Sequence, residues 1–94
     1  MSYAWLITHD FLDGPQHGAV GTCGPSGASA DLRAIRDAGE RFRLKDGDDE
    51  VLFEGLFLGD ASSEDGFGPL DDFGEPYAGC TAIEYFESGE WRLL

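Results

Sequence analysis

The side chains able to do chemistry in this sequence are mostly carboxylates. They are densest from Asp60 to Cys80, D-A-S-S-E-D-G-F-G-P-L-D-D-F-G-E-P-Y-A-G-C, where Asp60, Glu64, Asp65, Asp71, Asp72 and Glu75 occur without a base. Clustered acids can bind metal, move protons or attract cations. Calcium needs six to eight oxygens, a glycine at the sharp turn and a bidentate glutamate further on. Neither this stretch nor Asp46–Glu50 follows that twelve-residue pattern. A glycosidase-type pair needs two carboxylates in different environments, and no pair is singled out as buried. His9, His17, Cys23 and Cys80 are zinc-ligand types without the close spacing of structural zinc sites. A Cys-His nucleophile is disfavoured, because surrounding acids raise a thiol's pKa. Asp72-Phe73-Gly74 spells a kinase motif, but the glycine-rich loop, strand lysine and catalytic aspartate of a kinase are missing. Gly18–Gly27 is glycine-rich without the Gly-Lys-Ser/Thr ending of a phosphate loop. The expectation is no catalytic residue, no metal and no cofactor. Attraction of cations remains.

The formal net charge is −13 over 94 residues. Residues 1–45 hold five acids and five bases, whereas residues 46–94 hold fourteen acids and one base, Arg92. Solubility needs a net charge of only about 2–8 in a small domain, and the excess costs stability through self-repulsion. Such asymmetry suggests a face built for a charged partner. The candidate partner-binding acids are Glu50, Glu54, Asp60, Glu64, Asp65, Asp71, Asp72, Glu75, Glu84 and Glu87. Acids two apart on a strand stand about 6.7 Å apart on one side, and DNA carries a charge about every 3.4 Å per strand. Rows of such acids on neighbouring strands approximate the charge of a duplex. A basic nucleic-acid-binding protein would meet them with its own groove, in salt-sensitive fashion. An acidic chain is itself a poor nucleic-acid binder, and a high charge favours a monomer.

These acids must be positioned by a small fold. Ninety-four residues suit one domain, residues 1–94. Tyr3–His9 and Ala19–Cys23 read as strands, the second antiparallel to the first, with Gly21 marking a bulge. A helix follows, with Ser29 as N-cap, Asp31 in its first turn, Leu32 and Ile35 on its apolar face and Gly39 as its stop. Arg41–Lys45 alternates, and Glu50–Leu58 is apolar on both faces, hence central. A four-residue Asp46–Asp49 turn would set Leu44 against Val51 and Arg41 against Glu54. Thr81–Glu87 and Trp91–Leu94 form a last hairpin around Ser88-Gly89. That hairpin sets Glu87 beside Glu90, a like-charge misfit without an evident folding reason. The glycines and prolines of residues 60–80 imply a long loop, pinned by Phe67, Leu70, Phe73 and Tyr77 with its acids outward. The expected fold is α+β, an antiparallel sheet of five or six strands with one short helix (β-β-α-β-β-loop-β-β). No run of about 18 apolar residues is present for a membrane helix. The N-terminus lacks the basic stretch of a signal peptide, so a cytoplasmic location and free cysteines are expected.

The segment Gly68–Thr81, with Trp5-Leu6-Ile7-Thr8 and Gly24-Pro25, resembles small proteins of phages and mobile elements. In size and charge the chain also resembles, as a class, acidic anti-CRISPR proteins that mimic DNA against Cascade-type complexes. That resemblance implies a non-enzymatic inhibitor in the bacterial cytoplasm. Its partner would be a CRISPR surveillance complex or another basic DNA/RNA-binding host protein. The alternatives are an acidic adaptor that binds through its apolar loop, and an accessory protein whose charge serves solubility.

Overall fold

Alternating apolar and polar residues build the sheet, and a computed structural model describes it over residues 3–11, 20–24 and 32–94. The elements are β1 (Ala4–Asp10), β2 (Cys23–Gly24), α1 (Leu32–Ala38), β3 (Glu40–Lys45), β4 (Val51–Leu58), β5 (Ala82–Glu87) and β6 (Glu90–Leu93), with helical turns between β4 and β5. The strands form one six-stranded antiparallel sheet in the order β2-β1-β4-β3-β5-β6. This is the expected α+β fold, with β4 inside it. The second strand is shorter than expected. Residues 20–22 are not strand, because Gly21 turns at φ +95° and donates its N–H to Ile7 O at 2.8 Å. Ala19, the Asp10–Gly18 connection past Phe11, and the helix start with Ser29 and Asp31 lie outside the described residues. Gly39 does end the helix, and a β-carbon there would stand 2.4 Å from Ile35 O.

The β3–β4 register differs from the simple four-residue hairpin. Leu44 faces Phe53 and Arg43 faces Glu54, while Lys45 faces Val51 after a bulge at Leu44/Lys45. The turn explains the slip. Asp46 Oδ1 accepts from the N–H groups of Asp48 and Glu50 at 2.8 and 3.0 Å, and Asp49 sits at φ +66°. Glu50 therefore belongs to the turn rather than to β4. Arg41 nevertheless reaches Glu54 diagonally, at 3.9 Å, because a two-residue shift keeps the same face.

The sheet is covered on both sides. Leu6 alternates with Trp5 and Ile7 and so faces α1, where Ile35 is fully buried. On the other side Trp5, Ile7, Phe42, Leu44, Phe53, Phe57, Ile83 and Tyr85 form the main core under residues 60–80. Gly55 makes this packing possible. It lies opposite Phe42, and a β-carbon there would meet that ring at 2.5 Å.

Residues 60–80 are not an irregular loop. A 3-10 turn (Glu64–Phe67), a π-helical turn (Leu70–Gly74) and α2 (Glu75–Ala78) follow in series. The glycines and prolines punctuate these turns. Pro76 occupies the first turn of α2, where its missing N–H is not needed, and Gly79 closes α2 at φ +71°. The three-or-four spacing of Phe67, Leu70, Phe73 and Tyr77 is the helical period.

Candidate functional site

The helical segment docks through Leu70 and Phe73, which are 8% and 6% exposed. Phe73 meets Phe53 edge-on at 5.0 Å and Trp5 at 5.6 Å. Phe67 and Tyr77 are less deeply pinned than expected, at 37% and 49% exposed. Tyr77 stacks on Phe73 at 4.9 Å and leaves its outer face in solvent.

Asp72 is exposed, yet its Oδ2 accepts from the Tyr3 hydroxyl at 2.7 Å and from Trp5 Nε1 at 3.1 Å. This carboxylate ties the helical segment to β1. The Tyr3 phenol is pushed up to about 12, first by burial, then by its hydrogen bond to Asp72, and then by the charges of Asp72, Asp65 and Asp71. Asp65 is half-buried, with its Oδ2 enclosed and unpartnered. The Tyr85 hydroxyl donates to Gly66 O at 2.7 Å, a second tie from sheet to segment.

Asp60, Glu64, Asp71, Asp72 and Glu75 are exposed, and among the described residues no Lys or Arg stands within 4 Å of these five or of Asp65. Ser62, through its hydroxyl and its N–H, holds the Asp60 carboxyl below the usual range. The sheet acids differ. Glu84 accepts from Arg43 Nε and lies 3.3 Å from Lys45 Nζ, and Lys45 also holds Asp49. Across the strands Glu54, Arg43 and Glu84 lie side by side, so a base interrupts the acid row. Arg41 and Arg43 also stack on Trp91, at 5.3 and 4.3 Å from its centroid. Glu87 and Glu90 do face each other, but Arg92 lies 3.6 Å from one and 3.5 Å from the other. That bridge supplies the folding reason which the like-charge pair alone lacks.

The described bases thus gather around the helix and the helix side of the sheet, Arg92 excepted, and the unneutralised loop acids lie on the opposite side. Alternation explains the split, since Arg41 and Arg43 point away from the core that Phe42 and Leu44 enter. Tyr3 and Trp5 are the site residues that sequence reasoning missed. They lie 69 and 67 positions from Asp72, and no local pattern links them.

Cys80 is buried, and its thiol is pushed up to about 11, first by burial and then by the Asp46 charge. Cys23 is half-buried in β2. His9 Nδ1 lies 2.9 Å from Thr8 Oγ1, and the ring stacks on Phe11. His17 and half of Gly18–Gly27 lie outside the described residues. Among the described residues no three His, Cys, Asp or Glu side chains are placed to share a metal ion. Nor is any described helix long and apolar enough to cross a membrane. Two hollows among the described residues involve the candidate acids. One of about 390 Å³ is lined by Glu40, Asp60, Tyr85, Glu87, Arg92 and Leu94. The other, of about 420 Å³, is lined by Thr8, His9, Arg36, Arg41, Glu54 and Leu56 on the helix side. No family model matches the chain, and neither a curated protein nor a solved structure matches it significantly. The functional reading therefore rests on the placement of side chains.

Proposed function

We propose that this chain is a non-enzymatic, acidic binding protein whose helical segment docks on the basic nucleic-acid-binding surface of another protein. A DNA-mimic inhibitor of a CRISPR surveillance complex in the bacterial cytoplasm is the specific form of that reading. One observation carries it. Among the described residues the six acids of residues 60–75 have no base within 4 Å, while the bases of β3 are committed to Glu54, Glu84 and Asp49. Neutralising Lys or Arg must come from outside the molecule, which gives steering at long range and binding that weakens with salt. Asp71, Asp72 and Glu75 lead. Asp60, Glu64, Asp65 and Glu50 add to the field, and Glu54, Glu84 and Glu87, which already hold bases, contribute less.

The test is capture of a purified Cascade-type complex, with release by salt and by duplex DNA. Capture should fail at high salt and under competing duplex. D71N combined with E75Q should weaken it about tenfold, equivalent to about 1.4 kcal/mol. Asp72 is left intact because it also holds the fold. Binding that resists salt, DNA and this double variant refutes the reading. The exposed Tyr77 and Phe67 favour a second reading, an adaptor that binds through aromatic surface. There, salt-resistant capture is lost in Tyr77→Ala. Replacement of Phe73 tests the core rather than the surface, because Phe73 is buried.

A further inference from the structure

β6 (Glu90–Leu93) ends the sheet, with β5 as its one neighbour in the strand order. Ser88 and Gly89 turn at φ +53° and +82°, the two-residue hairpin geometry. Leu94 N–H donates to Ile83 O at 3.1 Å, which makes 83/94 a hydrogen-bonded pair. Pairs alternate along an antiparallel ladder, so 85/92 and 87/90 are the other bonded pairs. Trp91 and Leu93 therefore turn their N–H and C=O groups away from β5, toward the open edge. Short length, charged side chains (lysine above all), proline and bulges usually blunt such an edge, and β6 is short and carries Glu90 and Arg92. It contains neither proline nor lysine, and its register with β5 runs without a shift.

We infer that β6 pairs antiparallel with β6 of a second copy of this chain, Trp91 against Trp91, joining two sheets into one of twelve strands. The backbone polarity fits. Each Trp91 presents an outward N–H and C=O, so the central pair makes two reciprocal hydrogen bonds. A two-fold axis normal to the sheet keeps each face on its own side, so only same-face registers are allowed. With Trp91 opposite Trp91, Glu90 stands opposite Arg92 of the second copy, twice. These are non-hydrogen-bonded pairs, where side chains approach most closely. The neighbouring same-face registers set Glu90 against Glu90 or Arg92 against Arg92, and both are repelled. Charge thus favours the Trp91 register over both of its neighbours. Trp91 is already held, edge-on to Phe86 at 5.2 Å and beneath the Arg43 guanidinium, so little side-chain freedom is lost on pairing.

The net charge of −13 opposes this contact and accounts for the monomer expected from sequence. Salt screens that repulsion, since the Debye length falls from about 10 Å at 0.1 M to about 3 Å at 1 M. Backbone hydrogen bonds and the Trp91 pair are screened far less. Dimerisation therefore strengthens with salt, opposite to the binding proposed for the acidic segment, so either proposal can fail alone. The same two-fold places both helical segments on one side of the joined sheet.

The test is the solution mass of the full chain by light scattering or sedimentation equilibrium, at about 0.05 M and about 1 M NaCl. The expected result is about twice 10.2 kDa at high salt, with a lower average mass at low salt. R92E should give a lower average mass than wild type at both, because it faces Glu90 with a like charge. The double swap of E90R with R92E should restore the high-salt dimer. Monomeric wild type at high salt overturns the inference. So does a dimer unaffected by R92E, or a double swap that stays monomeric with a wild-type circular dichroism spectrum.

Discussion

Replacing Asp72 by alanine removes both acceptor contacts that tie the helical segment to β1. Trp5 is 3% exposed with Asp72 in place, and its indole N–H, 3.1 Å from Asp72 Oδ2, loses its charged acceptor when the carboxylate is removed. A hydrogen bond to a charged group contributes about 1.5–3 kcal/mol, and a buried donor left unpaired costs about 1–3 kcal/mol. The Tyr3 hydroxyl is more accessible and adds about 0.5 kcal/mol. Removing one negative charge from a chain at −13 returns a few tenths of a kcal/mol, roughly the weight of a surface charge interaction. The net loss is about 2 kcal/mol, or roughly 8–15 °C in melting temperature for a domain of this size. Urea unfolding followed by tryptophan fluorescence measures it. The adjacent Asp71 is the control, being exposed and without a base within 4 Å. Asp71→Asn should leave stability unchanged or slightly higher. An Asp72→Ala variant within about 0.5 kcal/mol of wild type, or equal losses at both positions, refutes the argument that Asp72 anchors the segment.

The alkaline limb of stability should depend on Tyr3. Its folded pKa of about 12 lies above its unfolded value of 10.0. The neutral phenol therefore contributes in full below pH 10 and loses that contribution as pH rises toward 12. The stability advantage of wild type over Tyr3→Phe should shrink across that window, measured by urea unfolding, and a difference independent of pH would contradict the assignment. Gly55→Val should destabilise by at least about 1–3 kcal/mol, the usual cost of overpacking, because its β-carbon would stand 2.5 Å from the Phe42 ring. A thermal melt within a degree or two of wild type would count against the Phe42–Gly55 packing.

The sheet was legible where alternation was clean. Arg41–Lys45 and Thr81–Glu87 each present one apolar face, and Ser88-Gly89 marks a turn with positive φ at both positions. The central place of β4 followed from its two apolar faces. Register was less legible, because Asp46 organises its turn through hydrogen bonds to Asp48 and Glu50, and composition alone does not say where such a turn closes. The segment 60–80 was misjudged in its local structure. Gly66, Gly68 and Pro76 break long helices, yet they are compatible with one-turn helices whose apolar residues recur every three or four positions. Of the candidate acids, the cluster at residues 60–75 stands out in the sequence itself. The neutralisation of Glu54 and Glu84 needed strand order, because Arg43 comes between them only when β3 lies between β4 and β5.

The position of β4 between β1 and β3 also bears on how the chain is made. β1 leaves the ribosome early, but its main sheet partner is β4, whose paired residues lie 43 to 54 positions later. At about 5–20 residues per second this gap lasts roughly 2–10 s. Hairpins close in about 1–10 μs, so β3 and β4 can pair as soon as both have emerged. Trp5, Leu6 and Ile7 instead wait for β4 throughout the gap, with only the short β2 made early enough to pair with them. Substitutions that delay β4 therefore lengthen the exposure of this segment to chaperones and proteases, even when they leave the finished molecule equally stable.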